Sequence, residues 1–187
     1  MMRKLFVFNS ISLDGYFTDA KGDMSWAHKN DPEFNEFTAE NAKQGGILVF
    51  GRVTYDLMNG FWPTEAAQQM FPDVAKGMNE AEKIVFSKSL ERATWNNTRL
   101  IKDNIVEEMR KLKEEPGDGM VIMGSGTIVS QFTEAGLIDE YQVLINPIVL
   151  GSGRTMFAGV KSKVNLNRTN FRTFRNGNVL ATYELVK

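Results

Sequence analysis

Four short apolar runs constrain this chain more than anything else in it: Leu5-Phe6-Val7-Phe8, Ile47-Leu48-Val49-Phe50, Lys83-Ile84-Val85-Phe86 and Met120-Val121-Ile122-Met123. Each is strand length and apolar nearly throughout, without the alternation of a sheet that keeps one face wet. Such strands belong to parallel sheets buried on both faces, and parallel neighbours need crossover connections, usually helices.

The intervening segments carry helical signals. Asp31-Pro32 reads as an N-cap followed by proline at the first helical position, Phe34, Phe37 and Asn41 space one helical face, and Gly45-Gly46 ends it. A short helix is expected from near Val53 to Asn59-Gly60, while Pro63 and Pro72 leave the stretch from Phe61 to Lys76 ambiguous. Asn104 reads as the cap of a helix with Ile105, Met109 and Leu112 on one face and Glu107 at the capping-box position. Gly124-Ser125-Gly126 leads into a helix carrying Ile128, Phe132 and Ala135, closed by Gly136. Tyr141 to Leu150 reads as a long strand, and Asn176-Gly177 as a two-residue turn between two extended arms. The expected architecture is a three-layer α/β/α domain with a mixed sheet, ending in an antiparallel hairpin.

Composition narrows the chemistry. At 187 residues and 42% apolar, the chain is expected to form one domain, 1–187, with a real core. A net charge of -1 argues against a broad phosphate footprint, so nucleic acid is not an expected partner. With no cysteine there is no disulfide, thiolate nucleophile or Cys-ligated metal, and with His28 as the single histidine there is no His-His metal pair. His28 lies in the polar stretch Ala27-His28-Lys29-Asn30 and reads as a surface residue rather than the base of a triad. No signal-like segment is visible, and no apolar run approaches the ~18 residues of a membrane span. A soluble, cytoplasmic protein without a membrane partner is expected.

Three strand ends share one chemical pattern: Gly51-Arg52-Val53-Thr54, Ser87-Lys88-Ser89 and Gly124-Ser125-Gly126-Thr127. In open α/β sheets ligands bind beyond the carboxyl ends of the strands. Glycine lets backbone approach an anion, and a helix N-terminus offers unpaired N–H groups. Gly124 to Thr127 thus suits a pyrophosphate, and Arg52 and Lys88 suit a further phosphate such as the 2′-phosphate of NADP. Any one of them alone reads better as an ordinary strand-to-helix turn, but the three together on one sheet edge favour a phosphate-bearing ligand. The glycine pattern is not the usual dinucleotide fingerprint: Val129 stands where its last glycine or alanine would be, and no acidic residue ends a second strand at the ribose offset.

Ser12-Leu13-Asp14-Gly15-Tyr16-Phe17, Gly51-Arg52-Val53-Thr54-Tyr55, Val85-Phe86-Ser87-Lys88, Gly124-Ser125-Gly126-Thr127 and Asn146-Pro147-Ile148-Val149-Leu150-Gly151-Ser152-Gly153 follow one another along nearly the whole chain. In this order they resemble the dihydrofolate reductase-like superfamily, in particular stand-alone relatives of the riboflavin-biosynthesis reductase domain, the RibD C-terminal domain. The resemblance implies a dihydrofolate reductase-like mixed sheet, NADPH as hydride donor, a small-molecule substrate and a homodimer. It places Gly51, Arg52, Val53 and Thr54 at the adenosine-side phosphates and Ser87 and Lys88 at the 2′-phosphate. Gly124, Ser125, Gly126, Thr127 and Ile128 would hold the pyrophosphate, and Asn9, Ser10 and Phe17 would border the nicotinamide.

The proton donor is the open point. Dihydrofolate reductases carry a carboxylate on the first helix. Counting back from Gly51 reaches Asn35 here, with Asp31, Glu33 and Glu36 nearby, which argues against folate. Asp14 reads either as a substrate-orienting group or as the setter of the Asp14-Gly15 turn, and Trp26 and Trp62 as pocket walls or core. The expected activity is reduction of a small, pterin- or pyrimidine-like heterocycle. Its alternatives are 5-amino-6-(5-phosphoribosylamino)uracil reduction, a catalytically silent nucleotide-binding module, and, more weakly, a flavin-linked reductase.

Overall fold

A computed structural model describes residues 2–27, 31–43 and 45–186; the expectation about His28 falls outside them. The strands are β1 (Leu5–Ser12), β2 (Tyr16–Asp19), β3 (Ile47–Gly51), β4 (Lys83–Phe86), β5 (Thr98–Ile101), β6 (Met120–Met123), β7 (Glu140–Asn146), β8 (Gly153–Thr155), β9 (Leu166–Thr173) and β10 (Val179–Leu185). The helices are α1 (Pro32–Lys43), α2 (Arg52–Phe61), α3 (Glu65–Met70), α4 (Pro72–Glu80), α5 (Ile105–Glu114) and α6 (Gly126–Glu134). Eight strands form one sheet in the order β5-β4-β3-β6-β1-β7-β10-β9, and β2 pairs with β8 as a separate ribbon. From β5 through β7 every neighbour is parallel, and β10 is antiparallel to both β7 and β9. This is the expected three-layer α/β fold with its C-terminal antiparallel strands.

Alternate residues of each central strand face opposite layers. Leu5, Val7, Val49, Met120 and Ile122 pack with Met109 and Leu112 of α5 and Val129 and Phe132 of α6, forming one large core. The other face is covered differently. Phe50 and Val85 pack with Tyr55, Met78 and Trp95 under α2 and α4, while Leu144, Leu180 and Phe174 pack with Phe34 and Phe37 of α1. These two clusters do not merge, although α1 and α4 run against each other. Residues of α1, α2 and α4 and the strand ends line the molecule's large cleft.

Several local expectations hold. Asp31 Oδ1 accepts from Phe34 N–H at 2.8 Å, so it does cap α1. Gly136 (φ 64°) closes α6 with paired bonds from Gly136 N–H to Thr133 O and Leu137 N–H to Phe132 O. Others need correction. Asn104 precedes α5 but lies in the left-handed region without a side-chain cap bond. The strand expected from Tyr141 to Leu150 stops at Asn146, where Pro147 removes a donor. The hairpin turn takes the three-residue form: Phe174 N–H bonds Asn178 O at 2.9 Å, Gly177 N–H bonds Phe174 O at 3.0 Å, and Gly177 supplies the positive φ. The ambiguous stretch after Phe61 resolves into α3 and α4, with Pro72 starting α4 rather than breaking it.

Candidate functional site

Because β1, β3, β4 and β6 are parallel, the loops that follow them meet at one rim. They are tied to each other. Gly51 N–H donates to Ser125 Oγ at 2.6 Å, and Ser125 Oγ donates in turn to Thr54 Oγ1 at 3.1 Å. The buried Asn9 amide clasps Gly124 from both sides, accepting from its N–H at 2.5 Å and donating to its carbonyl at 3.2 Å. Close approach explains the glycines. A Cβ on Gly124, where φ is +65°, would stand 2.6 Å from Thr54 Oγ1, and one on Gly126 would stand 3.0 Å from the Phe17 ring.

Ser125 is itself left-handed (φ 60°), which turns the chain sharply into α6. The N–H groups of Gly126 and Thr127, in the first turn of that helix, have no intrahelical acceptor, and both residues line the cleft. An anion there meets free donors and the positive end of the helix dipole. The Ser125 and Thr54 hydroxyls, by contrast, already serve the loop-to-loop ties. They shape the cradle and leave the backbone to face a ligand.

Cations gather beside this cradle. Arg52 Nη1 donates to Ser89 Oγ at 2.7 Å and its Nε meets Asp56 at 3.4 Å, so the β3 and β4 loops are joined through it. Ser87 Oγ accepts from Leu90 N–H at 3.0 Å and shapes its own turn. Ser87 and Lys88 line a smaller adjoining hollow of about 530 Å³ with Thr127, Ile128 and Lys102. Lys102 was not legible in the sequence because the strand before it, Thr98–Ile101, carries Thr98 and Arg99 and lacks the continuous apolar signature.

The cleft itself encloses about 2410 Å³. Ser10, Phe17, Gly51, Arg52, Val53, Thr54 and Gly124 to Ile128 all line it, as does Trp62, which also packs into the core under α2. On α1 the lining residues include Asn35, Thr38 and Asn41. The acidic candidates stand elsewhere. Asp31 is spent as the cap, Glu33 faces Arg172 at 3.4 Å, and Glu36 is exposed outside the lining. Asp14 accepts from Leu150 N–H at 3.1 Å and Gly151 N–H at 2.7 Å. Its carboxyl is held below the usual range by the Ser12 hydroxyl first and then by these amides, against the opposing effect of burial. It therefore fastens the loop after β7 and does not face the cleft. Trp26 donates to Asp23 O at 3.1 Å and also lies outside the lining. Sequence reasoning missed the β2–β8 ribbon, where a Cβ on Gly153 would sit 2.0 Å from Thr18 O. Among the described residues no group of three or more His, Cys, Asp or Glu is placed to hold a metal ion, and no helix is long and apolar enough to cross a membrane.

The family model of the RibD C-terminal domain matches residues 3–180. This chain belongs to that family. It is 31% identical over 182 residues to protein YyaP of Bacillus subtilis (strain 168), covering 97% of this chain and 94% of that one. Among solved structures it resembles a putative riboflavin biosynthesis protein from Shewanella sp. PV-4, at 23% identity and TM-score 0.75, with both chains covered in full. It also resembles Enterococcus faecalis dihydrofolate reductase complexed with NADP(H) and RAB-propyl, at 14% identity and TM-score 0.66, again over 100% of both chains. These likenesses establish the RibD C-terminal domain family and the dihydrofolate reductase-like fold.

Proposed function

We propose that this RibD C-terminal domain protein is an NADPH-dependent reductase acting on a small heterocyclic, pterin- or pyrimidine-like substrate, as one domain and as a homodimer. The observation that carries the reading is the locked rim: Gly51, Thr54, Ser125 and Asn9 hold three loops around the open N-terminus of α6, beside a cleft large enough for two ligands. The dinucleotide-bound Enterococcus neighbour shares the fold, which supports a dinucleotide at this rim.

The residues present fit that cofactor. Gly126 leaves room for backbone approach, with Phe17 and the Thr155 carbonyl close behind it. The first-turn amides of α6 suit the pyrophosphate, and Arg52, Lys88 and Lys102 surround the place for a 2′-phosphate. When bound, the reduced nicotinamide supplies the hydride. Ser10 and Phe17 border its ring site and shield it from water. On α1 the chain offers Asn35 rather than a carboxylate to the cleft, so the proton is delivered by water or by a carboxylate outside α1.

Titration of the protein's tryptophan fluorescence with NADPH tests the reading, because Trp62 lines the cleft. Saturable quenching is expected. Lys88→Ala and Arg52→Ala should each weaken NADPH by roughly tenfold and leave NADH nearly unchanged, since only NADPH carries the extra phosphate. Absence of binding overturns the reductase. Equal losses for both cofactors overturn the 2′-phosphate assignment. Tight binding without substrate-dependent NADPH oxidation across a broad panel identifies a silent nucleotide-binding module instead.

A further inference from the structure

The wall of the cleft opposite α1 has an apolar surface that no core claims. Ten large hydrophobic side chains are exposed among the described residues, and four of them, Val53, Leu57, Phe61 and Met70, line this one cleft. Val53, Leu57 and Phe61 repeat at four-residue intervals and form a stripe along α2. The opposite face of the same helix is already used, with Tyr55 buried and Met58 and Trp62 packed against the core. Leu57 and Met70 remain more than half exposed, at 54% and 63%. Clustered apolar surface of this kind marks a binding surface rather than ordinary scatter.

Charge is kept away from it. The α1 wall shows Asn35, Thr38 and Asn41 to the cleft, which are neutral hydrogen-bonding groups. Arg52 and Asp56 pair with each other on the cofactor side. Arg154 belongs to the β2–β8 ribbon and Lys21 to the turn that follows β2, and the ribbon meets the α6 cradle through Phe17. Asp118 lies at the opposite rim, just before β6.

The geometry points to an uncharged heterocycle with one apolar flank as the substrate class. One flank of the ring lies on the Leu57–Phe61–Met70 surface, and a carbonyl or amide edge meets Asn35 and Thr38. This rests on the reductase reading and deepens it. A phosphorylated substrate would bring a hydrated dianion to a wall with no partner for it, a cost that selects against the phosphoribosyl alternative.

A matched pair of dyes tests the inference on the protein with and without saturating NADP⁺. N-phenyl-1-naphthylamine is neutral, and 8-anilinonaphthalene-1-sulfonate has the same rings plus one negative charge. The neutral dye should bind saturably and roughly tenfold more tightly than the sulfonate. Leu57→Asp and Met70→Asp should each weaken it by roughly tenfold while NADP⁺ affinity stays within about twofold. Both side chains are exposed, so the variants should fold, which circular dichroism checks. If either aspartate variant is misfolded, Leu57→Asn in its place reads the same loss without a buried charge.

No saturable binding, equal affinity for both dyes, or unchanged dye binding in the variants overturns the inference. Failure of NADP⁺ to bind the wild-type protein would overturn the reductase reading separately, since the dye result is read without it.

Discussion

The two sides of the cleft are built on opposite principles. On the α6 side the loops are tied to one another: Ser125 ties Gly51 to Thr54, Asn9 clasps Gly124, and Arg52 reaches Ser89. On the facing side Leu57 and Met70 expose apolar surface to the cleft, and Phe61 lines it while resting edge-on against Trp62 at 5.0 Å. A rim of mutual ties is preorganised, so a ligand there meets donors already in position and little ordering entropy is lost on binding. An unfilled apolar wall gains its stabilisation only when something covers it. On the proposed function, the difference teaches that the rim fixes the cofactor geometry in advance and leaves shape and hydrophobicity to choose the substrate.

The largest expected effect breaks the tied side. In Gly124→Ala the new Cβ would meet Thr54 Oγ1 at 2.6 Å and Cγ2 at 2.9 Å, at a φ of +65° that alanine rarely adopts. Left-handed strain and overpacking together should cost about 3 kcal/mol. The melting temperature should fall by roughly 6–12 °C. Adding Thr54→Ala removes the oxygen and methyl that collide, and the double variant should recover about half of the loss, because contacting sites are not additive. Calorimetry on the four members of this cycle checks it; a fully additive pair would show that the rim is not held by that contact.

A middle-sized effect concerns what holds the apolar wall in place. Lys83 is 1% exposed, and its ammonium donates to the carbonyls of Asn79 and Ala81, at the end of α4, and of Asn96 at 2.7–3.2 Å while lying over the Trp95 ring. These partners favour the charged form and burial opposes it. Burial wins, and the lysine is pushed down to about 8. Between pH 8 and its ordinary value of 10.5 the unfolded chain therefore binds more protons than the folded one. Stability should rise with pH across that window, by on the order of 2–3 kcal/mol. Lys83→Met should flatten this segment of the stability–pH curve in denaturant titrations, and an unchanged slope would assign the pH dependence to another group.

The same contrast decides what could be read from the sequence. The rim was legible because glycine and hydroxyl residues after continuous apolar strands are unusual enough to be noticed, and the parallel sheet then forces them together. What each hydroxyl does was not: Ser125 and Ser87 spend theirs on loop ties and turn shape, which only distances reveal. The apolar wall was hidden for a different reason. Along α2 the stripes Val53-Leu57-Phe61 and Tyr55-Met58-Trp62 both look like core faces, and no periodicity says which one is covered. β2, β5 and β8 escaped because Thr18 and Asp19, Thr98 and Arg99, and Arg154 and Thr155 interrupt them, so they lack the continuous apolar run that made the equally short β4 and β6 visible. Asn35 shows the limit in the other direction: counting from Gly51 found the position, but only the fold shows that α1 turns it toward the cleft.

The smallest expected effect probes a tie that is exposed rather than buried. Asp14 holds Leu150 and Gly151 through two backbone N–H groups, and its carboxyl sits below its ordinary value of 3.8, chiefly because of Ser12. A lowered carboxyl adds stability that is fully present above pH 3.8 and is lost as the pH falls through the folded-state value. Solvent screens this bond, so Asp14→Asn should lower the melting temperature at pH 7 by no more than about 2 °C. The gap between variant and wild type should close on acidification, when the wild-type carboxyl is itself neutral. A much larger loss at pH 7, comparable to that of Gly124→Ala, would mean that the loop after β7 and the β2–β8 ribbon share the rim's tight construction, and that the tied half of the cleft extends farther than its hydrogen bonds indicate.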